Sequence, residues 1–205
     1  MLTVLEGSSA MRKSLLVVSI VASIGLIAGC SKKTNESKEQ SQQQTAGPGA
    51  AAIPNSVAGI HWTVPQGWTA EPRQQMRAAT YKASAPKEGI EPADCGVFYF
   101  GNGQGGTVED NLNRWISQFE KGGKHEFSNK IVNGLKLTSI QIAGTYLSPA
   151  GAMMESTVRK QDYRLLGAIV EGPQGMVFFK FTGPAQTAGA HEANFNQLVS
   201  SLAKD

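Results

Sequence analysis

Cysteine and histidine are scarce in this chain, and no apolar run is long enough to span a bilayer. Two cysteines, Cys30 and Cys95, among 205 residues cannot build a disulfide framework. The three histidines, His61, His125 and His191, form no His-x-His or His-x3-His pair, and no cysteine pair supplies further ligands at a workable spacing. The longest apolar stretch, Leu15 to Ala28, has 14 residues, short of the roughly 20 that a membrane-spanning helix needs. Charge is nearly balanced, 19 basic against 16 acidic side chains, which gives no field strong enough to argue for nucleic acid. A G-x-S-x-G nucleophile elbow is missing too. Glu109 and Asp110 are neighbours on a helix, so their side chains diverge by about 100° and cannot act as a facing acid pair.

What is present begins near the N-terminus. Arg12 and Lys13, the apolar Leu15 to Ile27, and the small Ala28 and Gly29 are the three parts of an export signal, with cysteine at the cleavage point. Leu26-Ile27-Ala28-Gly29-Cys30 resembles the bacterial lipobox. That resemblance implies that residues 1–29 are a signal peptide, that cleavage precedes Cys30, and that Cys30 carries a diacylglycerol on its thiol and a further acyl chain on its freed amine. Two or three such chains anchor stably where one is marginal. The expected address is the cell envelope, held to the lipid bilayer through acylated Cys30. By resemblance to Gram-negative lipoproteins, Ser31 implies sorting to the periplasmic face of the outer membrane in such a host. Met11 reads as the natural start, because Glu6 is out of place in a signal n-region. With Cys30 acylated, Cys95 has no partner, and its neighbour Asp94 opposes thiolate formation. It reads as a small buried thiol opening a strand.

Residues 30–55, rich in Gln, Ser and Lys and then in Gly, Pro and Ala, read as a solvated tether. Its reach as a flexible coil is on the order of 25 to 30 Å. Residues 56–205 are one domain's worth of chain. Apolar alternation predicts strands over Ile60–Val64, Met76–Lys82, Gly96–Phe100, Phe127–Val132, Leu135–Thr145, Tyr163–Glu171 and Met176–Thr182. Asn133-Gly134 signals a two-residue hairpin, because both positions tolerate positive φ. Pro173-Gln174-Gly175 joins the last two strands. Thr107 caps a helix over Val108–Phe119, with Asp110 completing a capping box, and a second helix runs from Thr187 to Leu202. The expected fold class is α+β, an antiparallel sheet sandwiched between helices.

Val64-Pro65-Gln66-Gly67-Trp68 after the first strand, the hairpin order, and the closing Phe195, Leu198, Ser201 and Leu202 resemble the PsbP-like family. This resemblance implies an α/β/α sandwich with binding or assembly roles and no shared reaction. The expectation is a non-enzymatic, protein-binding or assembly module that needs no cofactor and meets a protein partner in the envelope. The alternative is a receptor for a small ligand or anion at Gly101-Asn102-Gly103-Gln104-Gly105-Gly106, where Gly103, Gly105, Gly106 and Thr107 would offer amides at a helix N-terminus. That alternative requires the loop to line a pocket faced by Trp115 or Tyr99. An enzymatic reading needs Cys95 exposed beside a histidine. Met153-Met154 is a weak soft-metal pair, and gap filling is the commoner use of methionine.

Overall fold

The computed structural model describes residues 55–74, 76–149 and 157–205. The expected signal peptide, Cys30, the tether up to residue 54 and Met153-Met154 lie outside the described residues. The main body is a seven-stranded, wholly antiparallel sheet. Its strands are β3 (Trp68–Ala70), β4 (Ala79–Ala83), β5 (Ala93–Tyr99), β6 (Lys124–Val132), β7 (Leu135–Pro149), β8 (Thr157–Gly172) and β9 (Gly175–Pro184), in the order β3-β4-β5-β9-β8-β7-β6. A separate small sheet joins β1 (Ser56–Val57), β2 (Ile60–His61) and β10 (Ala203–Lys204). Among the described residues there are three α-helices, α1 (Val108–Ser117), α2 (Ala185–Ala190) and α3 (Glu192–Ser200), and a 3-10 turn over Glu120–Gly122.

Local chemistry explains the joins. Asn133 and Gly134 have φ of 48° and 77° and close the β6–β7 hairpin with Val132 opposite Leu135, the positive φ pair that matches strand twist. Gly172 pairs Gly175 across Pro173-Gln174 between β8 and β9. Thr107 caps α1 through its hydroxyl, and Asp110 answers with its carboxylate on the Thr107 amide.

The two faces of the sheet bury different cores. On one, Cys95, Val97, Phe179, Phe181 and Leu166 pack under α2 and α3 and under Ile60 and Trp62 at the small sheet. Trp62 stands edge-on to Phe179 at 5.1 Å, and Trp68 stacks on Phe181 at 4.9 Å. On the other, Trp115 and Phe119 cover Ile140, Ile142, Leu165, Ile169 and Phe178.

A helix-sandwiched layer fold is not what the chain adopts. Of the described residues, strand accounts for 50% and helix for 20%, with the strands in two antiparallel sheets. The physical reason is length. β7 and β8 have 15 and 16 residues while α1 has only 10, so one short helix cannot roof its face. On the opposite face a three-stranded sheet does part of the covering that a helix was expected to do. The second helix is also broken, because His191 leaves helical geometry at φ −107°, ψ 10° and divides α2 from α3. Among the described residues no helix is long and apolar enough to cross a membrane.

Candidate binding cleft

Where α1 stops short, its face of the sheet opens into a cavity of about 410 Å³. Lys180 lies on its floor in β9, opposite Gly96 of β5 and Gly167 of β8. Neither flanking position has a side chain, and other groups use the space. A Cβ on Gly167 would overlap the Trp115 ring, and one on Gly96 would lie 2.8 Å from Phe98 and 3.4 Å from Cζ of Arg77. The lysine therefore runs along a trough walled by Trp115 on one side and by Phe98 with Arg77 on the other.

The Lys180 ammonium donates to Gln118 Oε1 at 2.5 Å and to the Tyr146 hydroxyl at 3.3 Å. Gln118 is the residue that ends α1, so the helix terminus sets the lip of the cleft. Among the described residues no carboxylate lies within ion-pair distance of Lys180. Burial first, and then the Arg77 charge, draw its pKa down to about 8, as expected for a desolvated ammonium beside a like charge.

Lys160 is held differently. It donates to Glu91 at 2.7 Å and to the Tyr163 hydroxyl at 3.1 Å, and Tyr163 also donates to Glu91 at 2.5 Å. The bond to Glu91 raises the Lys160 pKa, and the bond from Lys160 lowers that of Glu91. Thr187 of α2 donates to the Glu91 carbonyl at 2.8 Å and fixes that loop. Each cation of the cleft also sits against a ring: Arg77 over Phe98 at 5.4 Å, Lys160 over Tyr163 at 5.3 Å and Lys180 over Tyr146 at 5.4 Å. Such contacts favour a cation that has lost water. Burial raises the Tyr146 pKa against the opposing pull of Arg77 and Lys160, so its hydroxyl stays protonated. Thr182 Oγ1, at the edge of the same cavity, is buried without a hydrogen-bond partner. Among the described residues, three cations therefore face two carboxylates, Glu91 and Asp94, which leaves one positive charge unmatched.

The glycine loop has another use. Gly101, Gly103, Gly105 and Gly106 all have positive φ, but the amides of Thr107 and Asp110 that follow are already engaged. Asp110 accepts from the Thr107 amide at 3.0 Å, Thr107 Oγ1 accepts from the Asp110 amide at 3.1 Å, and Asn111 donates to the carbonyls of Gly105 and Thr107 at 2.8 Å. The helix start holds its own carboxylate where an anion was expected. A Cβ at Gly105 would press on Phe100 and Phe178, so this glycine permits close packing.

The other expected candidates lie apart. Cys95 is fully buried in the middle of β5; burial pushes its thiol up, outweighing the Arg77 charge that lowers it. His61 meets Asp205 at 2.9 Å and His125 the Gly122 carbonyl at 3.2 Å. His191 is held at both ring nitrogens. Its Nδ1 accepts from Trp68 Nε1 at 3.2 Å, which leaves the proton on Nε2 to be donated to the Ser84 carbonyl at 2.9 Å. Among the described residues no three His, Cys, Asp or Glu side chains form a group that could hold a metal. Tyr99 lies on the other face, its hydroxyl donating to the Gln174 carbonyl at 2.7 Å.

Sequence reasoning passed over Lys180, Arg77, Lys160 and Glu91. The one available signal was a lone lysine inside Val177-Phe178-Phe179-Lys180-Phe181, a charge in a strand otherwise suited to burial.

No protein-family model matches the chain, and no curated protein matches it. Among solved structures, the chain is similar to PA94 from Pseudomonas aeruginosa, a protein of unknown function, at 13% identity and a TM-score of 0.40, over 60% of this chain and 78% of that one.

Proposed function

We propose that the chain is a lipid-anchored envelope protein whose folded domain binds a small acidic molecule in the Lys180 cleft. The single observation that carries this reading is Lys180 itself, largely buried with no carboxylate beside it among the described residues. Folding around an unpaired ammonium costs several kcal/mol unless something offsets it. A ligand carboxylate would supply the missing charge, and the unpartnered Thr182 hydroxyl a hydrogen bond. The unmatched single charge favours a monocarboxylate. The ligand assignment thus moves from the glycine loop to the cleft. Glycolate serves as the probe: it should raise the melting temperature of the wild-type domain in the millimolar range and leave Lys180→Met unmoved. An equal effect on both proteins would remove the reading.

A second reading, assembly with an envelope protein, draws on β6. This edge strand exposes Phe127 at 63% and Ile131 at 67%, and Phe127 shares a groove of about 400 Å³ with Leu112 and Ile116 of α1. An extended segment of a partner could pair with that edge. Crosslinking in intact cells, compared with Cys30→Ala, should recover one envelope protein with the anchored form alone. Recovery of the same set with both forms would argue against it.

A further inference from the structure

We propose that Lys180 captures its ligand covalently, as an imine with the carbonyl carbon of a small 2-oxo acid. This rests on the cleft reading above and adds a bond to it. The geometry is that of a held nucleophile. Nζ is fixed by Gln118 Oε1 at 2.5 Å, with the Tyr146 hydroxyl 3.3 Å away. Arg77 and Lys180 line the same cavity, so a carboxylate on the guanidinium leaves an adjacent carbonyl to meet the amine.

The neutral amine attacks the carbonyl carbon, a C–N bond forms, and the carbonyl π pair moves to oxygen. Tyr146 gives its proton to that oxygen and takes one from the nitrogen. The carbinolamine then loses the oxygen with the second amine hydrogen. The product is one imine and one water, and nothing is oxidised or reduced. The reaction is reversible capture, without turnover.

The neighbours decide which lysine reacts. Lys160 is tied to Glu91 and Tyr163, which keep it charged. Lys180 faces Arg77 and the neutral Tyr146, with Asp94 at the cavity rim and Glu91 engaged by Lys160. With its pKa near 8, roughly a tenth of this amine is neutral at pH 7, against less than about a thousandth for an ordinary lysine.

The test is reductive trapping of the whole chain with glyoxylate and sodium cyanoborohydride at pH 7, followed by peptide mass mapping. Lys180 should gain a carboxymethyl group at least about tenfold faster than the exposed Lys136. Excess glycolate, which has no carbonyl, should suppress the difference. Tyr146→Phe, which keeps the ring and removes the relay, should slow trapping at Lys180 while the rate at Lys136 stays the same. Should Lys180 label no faster than Lys136 while glycolate still raises the melting temperature, the covalent step is wrong and the binding reading stands. If both signals are absent, both fall.

Discussion

Gly167 and Lys180 sit side by side in the sheet, and each has a measurable consequence. Gly167 is the seat of the Trp115 ring, which carries the packing of α1 on the sheet. Gly167→Ala should therefore cost about 1–3 kcal/mol through overpacking, and Trp115→Ala about 3–5 kcal/mol through the cavity it leaves. Urea denaturation of the two variants checks both values. Lys180 has a folded pKa below its ordinary value of 10.5. Below pH 8 it is charged in both states, and burial penalises the folded one. Between about pH 8 and 10.5 the unfolded chain keeps a proton that the folded chain has released, so this group's contribution to stability rises with pH across that window. Lys180→Met should be more stable than wild type at pH 7, by about 3 kcal/mol, with the gap closing towards pH 10. A denaturation series over pH reads it, and a gap independent of pH would refute the assignment.

At the scale of elements, α1 shows how much local chemistry can announce. The Thr107 hydroxyl with Asp110 three residues on marked its start in the sequence, and the reciprocal bonds are present. Thr107→Ala should lower stability by about 1 kcal/mol without moving the rest of the fold. Asn133-Gly134 was as legible, since both residues must adopt positive φ. The second helix was less so. Phe195, Leu198 and Val199 are buried on α3 as their spacing required, yet the break at His191 follows from tertiary bonds to Trp68 and Ser84, which no local pattern carries. Nor could two-residue strands such as Ser56–Val57 and Ala203–Lys204 declare themselves, because a period needs more than two positions. On the β6 edge, Phe127→Asp should change stability by within about 0.5 kcal/mol, as exposed sites do, while abolishing any crosslink that depends on that strand.

At the scale of the molecule, function and fold class turn on the same fact, the shortness of α1 against the sheet it covers. The hairpin-joined strands and the two predicted helices implied helical layers over the sheet. The small sheet and the uncovered end of the α1 face replaced those layers. A cleft floored by one strand and walled by side chains from α1, β5, β7 and β8 is a product of long-range pairing, so Lys180 read in sequence only as an oddity. The most direct measurement is ¹⁵N NMR of the lysine side chains in the whole chain, with the Lys180 signal assigned by its loss in Lys180→Arg. The account predicts a titration near pH 8 that moves upward when glycolate is added. A Lys180 signal that titrates with the exposed lysines and ignores glycolate would contradict it.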